Sequence, residues 1–234
     1  MRIVFFGTPN YVLPILDSLH KEFRGKVGKT PIVAVVTQSP KSVGRKKMFT
    51  YSPVDTWAYK KKFPIFFDSR DLIKKSIDAE VGILAAYGAI IPQEVIDHFP
   101  NGILNMHPSL LPAWRGASPI QATIVAGNQT TGITTIKLDE KLDHGPSINQ
   151  FKEDILPDDT TESLRTRLFA RSAEVLKTLL PAYLKGKITP RPQEHSKSTF
   201  TKLIKKDDAF IPPKYLQMAL GGKSAKEKWE IGFI

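Results

Sequence analysis

The stretch Asn105-Met106-His107-Pro108-Ser109-Leu110-Leu111-Pro112 sets an amide and an imidazole two residues apart, and Leu142-Asp143-His144-Gly145-Pro146 adds a carboxylate. The apolar run Gly102-Ile103-Leu104 leads into the first stretch and Pro108 stops it, so it reads as a strand end opening into a loop. Side chains alternate along a strand, which puts Asn105 and His107 on one face. Asp143 follows a second alternating run, Gly132 to Leu138, after a short turn. An amide, an imidazole and a carboxylate converging at strand ends are the parts needed to transfer an acyl group to an amine. Asn105 can donate to a developing oxyanion, with protonated His107 as a second donor. His107 can move the proton, and Asp143 can orient the imidazole and favour its charged form, directly or through water. That task suits a group titrating near neutrality. Taken alone, Asn-x-His is common, and a strand-end histidine is more often hydrogen-bonded structure than catalyst. The trio by itself leaves both readings open.

The elements that must position these groups follow from periodicity. Arg2 to Phe6 is a buried-type strand, and Pro9 and Asn10 begin a helix whose apolar face is Val12, Ile15, Leu16 and Leu19. Further strands are expected at Pro31 to Thr37, Ile65 to Phe67, Val81 to Ala86, Gly102 to Met106, Gly132 to Leu138 and Ser147 to Lys152. Helices are expected at Val54 to Lys60, Leu72 to Ile77, Gln93 to Phe99, Pro119 to Ala126 and Thr161 to Leu184. This βα alternation predicts an α/β fold, doubly wound on a mostly parallel sheet, with ligands beyond the carboxyl ends of the strands. Asn105 and His107 occupy such an end. The turn Gly7-Thr8-Pro9-Asn10-Tyr11 lacks the second and third glycines of a dinucleotide fingerprint, which argues against a nicotinamide oxidoreductase.

The chain has 234 residues, 41% of them apolar, enough for one large domain with a sizeable core. No apolar run approaches the roughly 18–20 residues of a membrane span. Without cysteine there is no disulfide, thiolate metal site or cysteine nucleophile, and no metal is expected. The sequence enters its first strand with no presequence ahead, which favours a bacterial-type cytoplasm over a mitochondrial matrix. A formal charge of +11 favours encounter with polyanions, the alternative being a lysine-rich solubility coat. The charge is clustered at Lys41, Arg45, Lys46 and Lys47, at Lys60-Lys61-Lys62, and from Lys185 to Lys206. After Leu184, Gly186, Pro190 and Pro192 break regularity. The domains therefore read as a catalytic domain over 1–184 and a linker with a basic docking tail over 185–234.

The words around the trio are specific. Asn105-x-His107-Pro-Ser-Leu-Leu-Pro, then Trp114-Arg115-Gly116-Ala117-Ser118-Pro119-Ile120-Gln121, then Leu142-Asp143-x-Gly145, resemble the folate-dependent formyltransferase family. With Phe6-Gly7-Thr8-Pro9 they are similar to the members acting on methionyl-tRNA, and the likeness runs from about Met1 to about Pro213. The resemblance implies a Rossmann-like formyltransferase fold and assigns Asn105, His107 and Asp143 as catalytic. It implies 10-formyltetrahydrofolate as co-substrate, lined by Ser109, Leu110, Leu111 and Pro112 and by Tyr87, Gly88, Ile90 and Ile91 of a pterin-side loop. It implies initiator methionyl-tRNA as partner, met by Arg45, Lys46 and Lys47 of a basic loop, and the other basic clusters are expected to help hold it. Lys46 departs from the family, which often has glycine there. The chain ends about where the family's C-terminal β-barrel domain would begin. A monomer is expected and no membrane partner. Two alternatives stand beside this one: a folate-dependent N-formyltransferase for a small amine, such as a nucleotide sugar or glycinamide ribonucleotide, and a non-catalytic tRNA-binding remnant.

Overall fold

The computed structural model describes residues 1–23, 30–43 and 48–209, and strands alternate with helices from the start. The order is β1 (Ile3–Gly7), α1 (Leu13–Glu22), β2 (Ile32–Val36), β3 (Lys41–Val43), β4 (Met48–Thr50), α2 (Pro53–Lys60) and β5 (Ile65–Phe66). It continues with α3 (Asp71–Lys74), β6 (Val81–Ala85), α4 (Gln93–Asp97), β7 (Ile103–His107), β8 (Arg115–Gly116) and α5 (Pro119–Val125). β9 (Thr130–Lys137), β10 (Ser147–Asp154), α6 (Thr161–Leu184) and β11 (Phe200–Thr201) complete it.

Seven strands form the central sheet in the order β10-β9-β7-β6-β1-β2-β5. The five from β7 to β5 are parallel, while β9 runs antiparallel to β7 and β10 antiparallel to β9. The α/β, mostly parallel sheet expected from the sequence is the fold. β1 is central, and Ile3, Val4, Phe5 and Phe6 are fully buried because helices cover both faces. Alternation divides them. Ile3 and Phe5 pack with α1 and α6 residues such as Leu16, Leu19, Leu168 and Leu176, whereas Val4 and Phe6 pack with Leu72, Val95 and Phe99. On β7, Leu104 and Met106 join the first core and Ile103 the second, so Asn105 and His107 lie on the Ile103 face, at the strand's carboxyl end.

The chain builds outward from β1 through β2 to β5, then returns to place β6 on the other side of β1. Strand order therefore reverses between β1 and β6, and the loops leaving these strands frame a crevice at the carboxyl edge. Thr8 Oγ1 donates to the Tyr87 carbonyl there at 2.8 Å. On the sheet face that carries Leu104 and Met106, α6 opens with a reciprocal cap between Thr160 and Ser163, and Asp159 pairs with Arg167 at 2.6 Å.

Two small pairings lie outside the sequence reading. β3 and β4 form an antiparallel hairpin after β2, and β11 pairs in parallel with β8. The second has consequences for domain extent. Met1–Thr201 forms one compact unit, so the segment 185–201, read from sequence as linker, belongs with the sheet that carries Asn105 and His107. The reason is non-local bonding: Arg191 exchanges two backbone hydrogen bonds with Ser147, and the Arg115 amide donates to the Thr199 carbonyl at 2.8 Å. In the second unit, Lys202–Ile234, the described part contains a 3-10 turn at Lys206–Ala209 in which Asp208 accepts from the Lys205 amide. Among the described residues no helix is long and apolar enough to cross a membrane.

Candidate active site

Two side chains of β7, Asn105 and His107, meet a third, Asp143, from a later turn at the carboxyl end of the strand. Asp143 Oδ1 lies 3.3 Å from Asn105 Nδ2, which donates to it, and 3.4 Å from His107 Nδ1. Asp143 Oδ2 accepts from the Gly116 amide at 2.9 Å. On the other side of the imidazole, Nε2 is 3.0 Å from the Trp114 carbonyl. A carbonyl only accepts, so Nε2 carries a hydrogen, and a second proton on Nδ1 faces the carboxylate only in the imidazolium form. All three side chains are buried.

Burial pushes the His107 imidazole below its ordinary pKa, against the opposing pull of the Asp143 charge and the Trp114 carbonyl; the Arg115 cation adds to the lowering. The sequence reading had Asp143 raising His107 toward a protonated state. Asp143 does act in that direction, but desolvation is the larger effect. The contact is also direct, with no bridging water required by the distance.

The local backbone explains the aim of these groups. Asp143 and Trp114 both have positive φ, 46° and 60°, a conformation that Asp tolerates and that Trp adopts only when its surroundings hold it there. Gly145, two residues past Asp143, has no room for a Cβ, which would collide with the Lys137 carbonyl. That close approach fixes the turn leaving β9.

Ser109, Leu110, Leu111 and Pro112 form the loop directly after β7. Ser109 is fully buried and spends its hydroxyl on the Ala113 carbonyl at 2.6 Å, so it shapes the loop from within. Thr134 Oγ1 donates to the Ser109 carbonyl and accepts from the Leu111 amide, and Gln150 donates to the Leu111 carbonyl. The Leu111–Pro112 peptide is cis. The loop after β6 lies next to it, at the crevice where strand order reverses. Tyr87 and Ile91 are anchored in the core, and between them the tip presents Gly88, with φ 81°, and Ile90, which is 94% exposed. The tip thus presents an apolar side chain and irregular backbone to solvent. Arg45, Lys46 and Lys47 lie outside the described residues. The hairpin strand that follows them exposes Met48 and Phe49, and Tyr51 just past its end is exposed too. Lys60-Lys61-Lys62 precedes β5, which enters the sheet beside Val35 and Val36, so this tract lies toward the amino edges of the strands and does not join the site.

The sequence reading missed Trp114 as acceptor, the Gly116 amide, and a buried pair beside them. Arg115 is 3% exposed, donates from Nη2 to Gln193 Oε1 at 2.7 Å, and keeps a buried Nε without a partner. Its Nη2 also contacts His195 Nδ1 at 2.9 Å, and His195 stacks on His144, which pairs with Asp139 at 2.7 Å. His20 and His98 hydrogen-bond within the fold, to Thr30 and the Ile77 carbonyl. Among the described residues no cluster of His, Asp and Glu could hold a metal ion.

Residues 1–180 match the protein family described as formyl transferase. This chain belongs to the formyl transferase family. It is 38% identical over 217 residues to a methionyl-tRNA formyltransferase of Chloroflexus aggregans, covering 90% of this chain and 68% of that protein. The solved methionyl-tRNA formyltransferase from Clostridium thermocellum superposes with a TM-score of 0.61 at 20% identity, covering 94% of this chain and 80% of that one. An N-formyltransferase from Helicobacter canadensis, in complex with folinic acid and dTDP-3-aminofucose, gives 0.67 at 16% identity, covering 90% and 72%. At those identities the structures establish a shared fold.

Proposed function

We infer that this protein transfers the formyl group of 10-formyltetrahydrofolate to the amino group of methionyl-tRNA, the initiator substrate of translation. The observation that carries the chemistry is the single carboxylate, Asp143, shared by Asn105 and His107. The choice of acceptor rests on the 38% identity to methionyl-tRNA formyltransferase over 90% of the chain.

The folate co-substrate supplies the formyl carbon. The exposed Ile90 and the backbone around Gly88 fit one side of its ring, and the Leu110–Pro112 loop the other. When the amine attacks the formyl carbon, negative charge develops on the formyl oxygen and positive charge on the new nitrogen. Asn105 Nδ2 has two hydrogens and gives one to Asp143, leaving the other for that oxygen. His107, neutral in its buried setting, takes the proton that the attacking nitrogen must lose, at Nδ1. Asp143 stabilises the imidazolium so formed across 3.4 Å, and the proton then passes to the departing folate nitrogen as its bond to carbon breaks. Trp114 and Gly116 hold the outer ends of this relay by fixing the imidazole and the carboxylate.

The acceptor end of the tRNA is met, in this reading, by Arg45, Lys46 and Lys47. The exposed Phe49 and Tyr51 nearby offer stacking surface, and the cations offer phosphate contacts. A monomer in a bacterial-type cytoplasm goes with this reading, in keeping with the bacterial relative. The test is single-turnover formylation of initiator methionyl-tRNA, with and without the folate donor, across salt concentrations. Activity should fall steeply with salt, and Arg45→Ala should lower it far more than it lowers donor binding. Lys46→Ala and Lys47→Ala should weaken binding without changing the choice of tRNA. A salt-insensitive activity, indifferent to Arg45→Ala, would refute the tRNA reading and favour a small amine.

A further inference from the structure

Asp143 is held in a left-handed backbone conformation, and the close packing of Gly145 on the Lys137 carbonyl fixes one side of its turn. A second restraint comes from fifty residues away. Gln193 is buried, and its Nε2 donates both hydrogens into the Asp143 turn, to the Asp143 carbonyl at 2.9 Å and the Gly145 carbonyl at 2.7 Å. Its Oε1 accepts from Arg115 at 2.7 Å. Arg115 lies between Trp114, whose carbonyl accepts from His107 Nε2, and Gly116, whose amide donates to Asp143 Oδ2. One side-chain amide therefore ties together the two loops that grip the imidazole from either side.

The segment bearing Gln193 is itself fixed at both ends. Arg191 pairs with Ser147 just beyond the turn, and Thr199 accepts from the Trp114 amide at 2.8 Å. Thr201 Oγ1 accepts from the Ser118 amide and donates to the Arg115 carbonyl. A buried amide with both donors and its acceptor satisfied, in a strap anchored on each side, has little freedom to follow the turn if the turn moves.

We propose that Gln193 is a positioning residue, whose amide sets the Asp143 turn so that the carboxylate faces His107 and Asn105. Its effect on rate rests on the formyl-transfer reading, but its effect on His107 does not. With the amide removed, the Asp143 and Gly145 carbonyls lose their donors and the left-handed turn relaxes. The carboxylate then moves off the imidazole. The charged groups acting on His107 are Asp143, which favours its protonation, and Arg115, which opposes it. Asp143 has the larger effect of the two, so its displacement sets the direction of the shift.

The test is an NMR titration of the His107 imidazole in the full chain, which needs no substrate. It compares wild type, Gln193→Met, Gln193→Asn, Asp143→Asn and the Gln193→Met/Asp143→Asn double variant. Gln193→Met should lower the His107 midpoint, and Gln193→Asn, which keeps a shorter amide, should lower it less. Adding Gln193→Met to Asp143→Asn should lower it no further, because the carboxylate through which Gln193 acts is already gone. In parallel, kcat for formylation should fall by up to roughly 10²-fold in Gln193→Met, with little change in KM for the donor. An unmoved midpoint in a folded Gln193 variant, or shifts that simply add in the double variant, would overturn the proposal. So would loss of the fold in both Gln193 variants, which would make the residue a folding determinant. A wild type that formylates no methionyl-tRNA, yet shows the His107 shifts, would refute the substrate and leave the positioning role standing.

Discussion

Replacing Asp143 with asparagine removes one charge and leaves the shape of the side chain nearly unchanged. The carboxylate has Oδ2 on the Gly116 amide at 2.9 Å and Oδ1 within 3.4 Å of both Asn105 Nδ2 and His107 Nδ1. An asparagine that keeps its oxygen on the Gly116 amide turns its NH2 toward the other two groups. Against Asn105 this sets donor against donor. Against His107 it makes a hydrogen bond only to an unprotonated Nδ1, which the Nε2 bond to Trp114 permits. The second contact disfavours imidazolium. Two unit charges 3.4 Å apart attract by roughly 5 kcal/mol at an effective dielectric constant of about 20. Losing one acid–base group costs roughly 10²–10⁴ in rate, or about 3–5 kcal/mol of barrier, so the lost attraction is large enough to account for that cost. The assay is single-turnover formylation from about pH 5 to pH 9. The variant should be slower throughout, and the limb governed by His107 should move to lower pH, since the imidazole loses the charge that helped it hold a proton. A rate within about threefold of wild type, with the limb unmoved, would remove Asp143 from the mechanism.

Asn105→Ala and His107→Ala should each fold and each lose roughly 10²–10⁴ in single-turnover rate; a variant with near-normal chemistry would show its residue to be structural. Gly145→Ala should destabilise the protein by about 1–3 kcal/mol in denaturant titration, because its Cβ has no room beside the Lys137 carbonyl, and an unchanged midpoint would contradict that packing. The hydrogen bonds from Arg167 hold the Asp159 carboxyl well below the usual carboxylate range, so the stability they give is present above the ordinary value of 3.8 and fades as pH falls below it. Asp159→Asn should therefore lower Tm at neutral pH and flatten the acid limb of a Tm-against-pH curve; an acid limb as steep as wild type would count against the pairing.

Much of the scaffold is local information. The apolar run Ile3-Val4-Phe5-Phe6 reads as a doubly buried strand because a parallel sheet covers both its faces, and that is where it lies. The stripe of Leu164, Leu168, Leu176 and Leu179 recurs at helical spacing and forms the inner face of α6. A period of two places Asn105 and His107 on one side of β7, with no tertiary contact needed to say so. The meeting of these two with Asp143 came from the family resemblance and from chemistry, and the structure brings the three within 3.4 Å. Other features of the site leave no such mark. The bonds from Gln193 to the Asp143 turn, and from Thr199 and Thr201 to the Trp114–Ser118 loop, join positions with no common period, so Gly186, Pro190 and Pro192 made their segment look like a linker. The Trp114 carbonyl became an acceptor only through a positive φ that a tryptophan does not announce. The protonation of His107 is the last case. Sequence supplied the carboxylate that favours the charged imidazole, but the water removed by packing was the larger influence, and desolvation depends on the whole surrounding fold.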